Sequence, residues 1–227
     1  MSDPEWTHVE GPLIDQLVGL GWAHVAGSTT DPSASGRTSF RQVLLEDRPR
    51  DALVRINPDG AGGPWLDEVR LAQAVSALGK VGATSKLVEA NQAATDLLLH
   101  GTTVAGREGW DGGRDRTIGY VDWDHPERND FTVVNQLRVD ETSGQARQYC
   151  IPDLVLFVNG IPLVVVEAKA PGPEGAVAEA IRQLRRYANQ RDEVEAEEGV
   201  EPLFWTNQVV VATTGQEARL GSFTSGP

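Results

Sequence analysis

The sequence predicts an α/β protein: a mixed central β-sheet flanked by helices, with a helical insertion at about 39–99 ahead of the core strands. Three observations predict it. Two very apolar runs, 153–158 and 162–168, flank the turn pair Asn159-Gly160, which reads as a buried hairpin. Helical patterns dominate the first hundred residues, then strands follow, then a helix, then a strand, an order that suits helices packed on a mixed sheet. A chain of 227 residues is long enough to bury a full core as one domain spanning 1–227.

The elements follow in order. A first helix is expected over Trp6 to Leu20, where Glu10, Leu13, Ile14, Leu17 and Val18 fall near one helical face. Gly27 to Gly36 is polar and loop-like. Residues 39–56 read as a helix interrupted at Pro49, and Asn57 to Pro64 as a turn region. Leu66 to Leu99 reads as a long helical region broken near Gly79 and Gly82. Strands are expected at 102–105, 117–121, 131–139, 153–158, 162–168 and 207–212, with a helix over Glu174 to Arg191 before the last. Gly106 to Gly113 lacks a lysine of phosphate-loop type and reads as a loop.

The hairpin carries the chemistry. Asp153 opens its first strand, and Glu167 and Lys169 close its second. Side chains alternate across a strand, so Glu167 and Lys169 share a face while Ala168 points away. A strict two-residue turn would set Asp153 opposite Val166 and turn Glu167 to the other face. A three-residue loop or a bulge restores Asp153 opposite Glu167, because a one-residue slip flips the whole set. One of those two is therefore expected. Pro162 cannot donate to a ladder and belongs at the strand start.

Two carboxylates a few ångströms apart repel, and a hard divalent cation resolves the repulsion. Mg²⁺, with Mn²⁺ as a substitute, would take oxygens from Asp153 and Glu167 and from the Ala168 carbonyl. Such an ion polarises a phosphate and lowers the pKa of bound water. Lys169 adds a point charge that orients a water or stabilises charge on the phosphate. Together the pattern is that of metal-dependent nucleases, P-D…(D/E)-x-K. The competing reading is a buried hairpin with solvated charged ends.

Four blocks add a family resemblance: Thr38-Ser-Phe-Arg-Gln-Val-Leu-Leu-Glu-Asp47; Glu89-Ala-Asn-Gln-Ala-Ala-Thr95; Tyr120-Val-Asp-Trp-Asp124 through Asn129-Asp-Phe-Thr-Val-Val-Asn-Gln136 to Asp153; and the hairpin with Gln183-Leu-Arg-Arg-Tyr187 and Thr206-Asn-Gln-Val-Val-Val-Ala-Thr213. In these, in order along nearly the whole chain, the sequence resembles the amino-terminal nuclease domain of the restriction (motor) subunit of type I restriction-modification enzymes. The resemblance implies a restriction-endonuclease-like fold and endonucleolytic cleavage of double-stranded DNA. It also implies methylation and specificity subunits as partners, and ATP used only by motor domains that this chain lacks.

The same resemblance singles out further residues. Glu10, within Val9-Glu10-Gly-Pro-Leu-Ile-Asp-Gln-Leu-Val-Gly-Leu-Gly-Trp22, is expected as an accessory metal or water ligand. Gln183 and Tyr187 match the family's glutamine-x-x-x-tyrosine element and share a helix face. Gln183 would hold the Lys169 amine, a phosphate or a water, and Tyr187 would bond backbone or support the metal shell. Arg182 and Arg186 form the adjacent row and read as phosphate clamps. Gln136, ending an apolar strand, is a candidate to contact DNA or cap the active edge, with a structural role as the alternative. His8, His24, His100 and His125 have no zinc-like spacing.

Composition qualifies this picture. The net charge of −13 is wrong in sign for a chain that captures DNA alone. Six acids between Asp192 and Glu201 account for part of it and read as a solvated connection. The basic residues gather at Arg182, Arg185, Arg186 and Arg191, at Arg114 and Arg116, and at Arg138 and Arg147. Weak DNA binding alone is expected, and a non-catalytic docking module that keeps the nuclease fold is the alternative function. Cys150 is the single cysteine, which excludes an internal disulfide. With no apolar leader or span in the chain, a cytoplasmic protein without membrane contact is expected. No G-x-x-x-x-G-K-[S/T] is present, so no ATPase is expected here, and a fragment of a longer subunit is the expectation.

Overall fold

A computed structural model describes residues 4–225 except 46, 61, 83–85, 107–108, 110, 142–147, 173 and 191–198. The helices are α1 (Gly11–Gly19), α2 (Asp47–Ile56), α3 (Glu68–Gly79), α4 (Leu87–His100) and α5 (Ala176–Tyr187). One π-helical turn, Trp6–Glu10, runs directly into α1. The strands are β1 (Ala23–Ala26), β2 (Thr102–Val104), β3 (Arg116–Ile118), β4 (Phe131–Asn135), β5 (Val139–Asp140), β6 (Tyr149–Cys150), β7 (Leu154–Val158), β8 (Ile161–Ala168), β9 (Val209–Thr213) and β10 (Ala218–Gly221). Among these residues no helix is long and apolar enough to cross a membrane.

The central sheet has six strands in the order β1-β4-β7-β8-β9-β10. It is mixed: β1 runs parallel to β4 and β8 parallel to β9, while β4, β7 and β8 form an antiparallel meander. Both faces are covered, which is why β7 and β8 read as near-continuous apolar runs. Val155, Phe157 and Val165 point to α5, where Ala180, Leu184 and Phe204 complete the core. Leu154 and Val166 point the other way, onto Val133 and Ile14 of α1. The chain is thus an α/β protein with a mixed sheet between helical layers, as the pattern implied.

The hairpin decides the register. A two-residue turn closes it, with Asn159 (φ 53°) and Gly160 (φ 72°) both left-handed. That is the turn geometry whose twist matches the flanking strands. Val158 lies opposite Ile161, and Leu154 lies opposite Val166. Between them the register shifts at Leu156/Phe157, where Leu163 is the extra residue of a β-bulge. Of the two expected devices the bulge is the one used, and the three-residue loop is not. One step beyond Leu154 and Val166, Asp153 faces Glu167.

Gly160 also fits against α2. A Cβ there would lie 2.6 Å from Pro49 Cδ, and its φ of +72° disfavours any side chain. Its carbonyl accepts the Leu45 N–H at 3.0 Å. Gly160→Ala is expected to cost about 2 kcal/mol, from overpacking plus the left-handed penalty. Chemical denaturation should show an earlier midpoint with an unchanged m-value; an unshifted midpoint would mean that the hairpin and α2 part without penalty.

Several expected boundaries are corrected. Residues 39–45 are not helical. Gln42 Oε1 accepts the Ser39 N–H at 3.1 Å, and Leu45 is drawn to the hairpin turn. The helix starts at Asp47, with Pro49 in its first turn, where a missing N–H costs nothing. The expected strand 131–139 ends at Asn135, because Gln136 is left-handed (φ 50°) and sends the chain into the separate pair β5–β6. The strand expected over 117–121 stops at Ile118. The Asn57 side chain takes both the N–H and the carbonyl of Gly119, and Asn159 takes the carbonyl of Tyr120. The long helical region is two helices, α3 and α4. Strands β1, β6 and β10 were not expected: Ala-His-Val-Ala and Ala-Arg-Leu-Gly are short and mostly exposed, so no alternation marks them.

Candidate active site

The ends of β7 and β8, with the start of α1, bring the acids of the sequence pattern together. Asp153 is 8% exposed. Its Oδ2 accepts the Ala168 N–H at 2.7 Å, and its Oδ1 lies 3.3 Å from Gln136 Nε2. Glu167 is fully buried. Its Oε1 accepts from Lys169 Nζ at 2.9 Å, while its Oε2 has no hydrogen-bond partner. Lys169 Nζ also donates to the Ala168 carbonyl at 3.0 Å, and the Lys169 N–H is held by Thr213 on β9.

Burial sets the electrostatics. It pushes the Glu167 carboxyl up to about 8, with the facing Asp153 charge adding to the rise and Lys169 opposing it. It raises Asp153 too, against the Ala168 N–H and the Lys169 ammonium. For Lys169 burial works downward, but the bond to Glu167 and the surrounding carboxylates outweigh it and hold the amine above its usual value. Burial and mutual repulsion thus act together against two bare charges on this pair of acids.

Glu10 reaches this end of the sheet from the π turn. It is 3% exposed, and its Oε2 lies 3.4 Å from Gln136 Nε2, the same nitrogen that approaches Asp153. Glu5 was not singled out in the sequence. Its charge acts on Asp153, Glu167 and Lys169 alike. Glu5 and Glu10 are five apart, a spacing that shares a face in a π turn and not in an α-helix, so α-periodicity hides the relation.

The α5 residues stand on the neighbouring side. Gln183 Nε2 lies 2.6 Å from Tyr187 Oη, which in turn donates to the Ile151 carbonyl at 3.3 Å. Tyr187 is buried, and burial followed by the Glu167 charge raises its phenol. Gln183 thus meets Tyr187, while Lys169 meets Glu167. The Arg186 guanidinium sits 5.0 Å over the Tyr187 ring, and Arg182 is exposed. Arg138 pairs with Asp140 at 2.7 Å and Arg116 stacks on Trp65, so those two cations are engaged locally. Arg147, Arg191 and most of the acidic run at 192–201 lie outside the described residues. Cys150 is buried, and burial raises its thiol, so it packs as a small apolar group.

No group of three or more His, Cys, Asp or Glu side chains is disposed to hold a metal among the described residues. Mg²⁺ does not need one, since it commonly binds through one or two carboxylates and keeps several waters. The donor set fits such an ion: two facing carboxylates, one of them with a buried oxygen that no N–H or O–H reaches.

A model of the N terminus of the type I restriction enzyme R protein matches residues 5–227. The chain belongs to this family. Relatives agree: it is 30% identical over 220 residues to the type I restriction enzyme HindI endonuclease subunit of Haemophilus influenzae. It is 26% identical over 219 residues to a putative type I restriction enzyme endonuclease subunit, MjaIXP, of Methanocaldococcus jannaschii. Each match takes in 96% of this chain and 19% of the relative, so the R-protein N-terminal segment spans about a fifth of the length of these curated relatives.

Proposed function

We propose that this R-protein N-terminal segment is the DNA-cleaving part of a type I restriction endonuclease subunit. Its reaction is Mg²⁺-dependent hydrolysis of phosphodiester bonds at a site of PD-(D/E)xK type. One observation carries the reading: Asp153 and Glu167 face each other at a strand end with the buried Glu167 Oε2 unpaired. A bound Mg²⁺ or Mn²⁺, held by Asp153 and Glu167 with the Ala168 carbonyl as a further oxygen donor and Glu10 acting through a water, would polarise the phosphate and acidify a water.

The chain's own groups do the rest. Lys169, fixed between Glu167 and the Ala168 carbonyl, presents a positive charge beside the carboxylates, where a phosphate oxygen or a nucleophilic water is oriented. Tyr187, oriented by Gln183, holds the Ile151 carbonyl and so braces the segment that delivers Asp153. Arg182 and Arg186 offer guanidinium contacts to the DNA backbone. Sequence choice, methylation and ATP-driven translocation belong to other domains and subunits of the assembly.

The net charge of −13 favours a second reading, a docking module that keeps the fold without the chemistry. The assembled enzyme, supplied with ATP, Mg²⁺ and supercoiled plasmid, separates the two. Linear product is expected; an enzyme that translocates with this segment intact yet never cuts would leave only the docking module.

A further inference from the structure

Gln136 occupies a strained place. Its φ of 50° is left-handed, a conformation that favours glycine or asparagine. Three anchors hold it there. Its N–H donates to the Asp153 carbonyl at 2.9 Å. The next residue, Leu137, is fully buried in the α5-side core. On the other side Gly27 packs so closely that a Cβ would lie 2.2 Å from the Asn135 carbonyl oxygen and 2.8 Å from that of Gln136. Strain held by this much surrounding structure marks a position where the side chain has a task.

The task is visible in what the amide touches. Gln136 Nε2 lies 3.3 Å from Asp153 Oδ1 and 3.4 Å from Glu10 Oε2. An amide nitrogen carries two hydrogens, one for each oxygen. It is neutral, so it holds two like charges together without cancelling them. A lysine or arginine there would neutralise the negative field that a cation needs, and a glutamate would add a third repelling charge. Asp153 then has one donor on each oxygen, Gln136 on Oδ1 and Ala168 on Oδ2, which fixes its carboxylate plane.

We infer that Gln136 is a positioning residue: it clamps Glu10 of the π turn to Asp153 of the hairpin and presets the carboxylates for a divalent cation. This role puts Gln136 at the cation site, and it rests on the function proposed above. Partners that orient metal ligands typically change metal affinity by roughly 10–100-fold when removed.

The test uses Gln136→Asn, which suits the left-handed backbone but falls short of the acids, and Gln136→Met, which keeps the length and removes the donors. Calorimetric Mn²⁺ titration of the chain should show binding weakened about tenfold or more in both. In the assembled enzyme the Mg²⁺ concentration giving half-maximal cleavage should rise by a similar factor. Saturating Mg²⁺ should restore the rate to within about twofold, which a misfolded site would not allow. Wild-type Mn²⁺ affinity in both variants, with or without weaker DNA binding, would overturn the clamp while leaving the nuclease reading standing. No Mn²⁺ binding by the unaltered chain would overturn both.

Discussion

Lys169→Ala is expected to abolish DNA cleavage while leaving Mn²⁺ binding in place, whereas Asp153→Ala and Glu167→Ala lose both. The expected fall in cleavage is about a hundred- to a thousandfold in each, the scale seen when a group that stabilises transition-state charge is removed. The split follows from donor chemistry. Asp153 and Glu167 contribute oxygens, and an ammonium has hydrogens to give but no lone pair for a cation. For the lysine two effects oppose. Without it the buried Glu167, already pushed up to about 8, holds its proton more tightly, which hinders the cation. The cation in turn no longer competes with a neighbouring positive charge 2.9 Å from Glu167 Oε1. Mn²⁺ calorimetry on the three variants at pH 8 tests the division. Equal loss of binding in Lys169→Ala would make the lysine a structural prop of the acids instead.

In the assembled enzyme, the Lys169→Ala complex is expected to hydrolyse ATP and translocate DNA at wild-type rates although it cuts nothing. The chain carries no G-x-x-x-x-G-K-[S/T] loop, and among the described residues Asp153, Glu167 and Lys169 interact with one another, with Gln136 and Ala168, and with β9. The charge of −13 adds a reason for the arrangement, since long-range electrostatics here repel DNA and a motor would have to deliver it. ATPase rate and triplex displacement, measured beside plasmid cleavage, decide the matter. Loss of translocation together with cleavage would refute the separation of roles.

Much of this site was legible before any fold. The acids and lysine sit at the ends of two apolar runs, and Asn159-Gly160 announces the turn, because turn chemistry and alternation are local properties of a few residues. The helix that carries Gln183 and Tyr187 was legible for the same reason, as was the break between α3 and α4. The end of β4 was not. Nothing in Val-Val-Asn-Gln marks Gln136 as left-handed, and its conformation is imposed by Asp153, Leu137 and Gly27 from three directions. The first part of the expected helix, 39–45, failed likewise, since Gln42 and Leu45 bond to a turn and to the distant hairpin instead of to each other's backbone.

By itself, then, the sequence determined which charges exist, which strands bear them, and that a turn of two or three residues joins those strands. Only the tertiary structure decided the register. The choice between a longer loop and the bulge at Leu163 turns on packing: Gly160 must fit under Pro49, while Ile161 and Leu163 fill the cluster formed with α2, α3 and α4. The tertiary structure also decided that Glu10 meets Gln136, 126 residues away in sequence, and through that amide comes beside Asp153. No local pattern encodes such a meeting. It arises when α1 buries Ile14 against Val133, Leu154 and Val166 and swings the π turn over the strand ends.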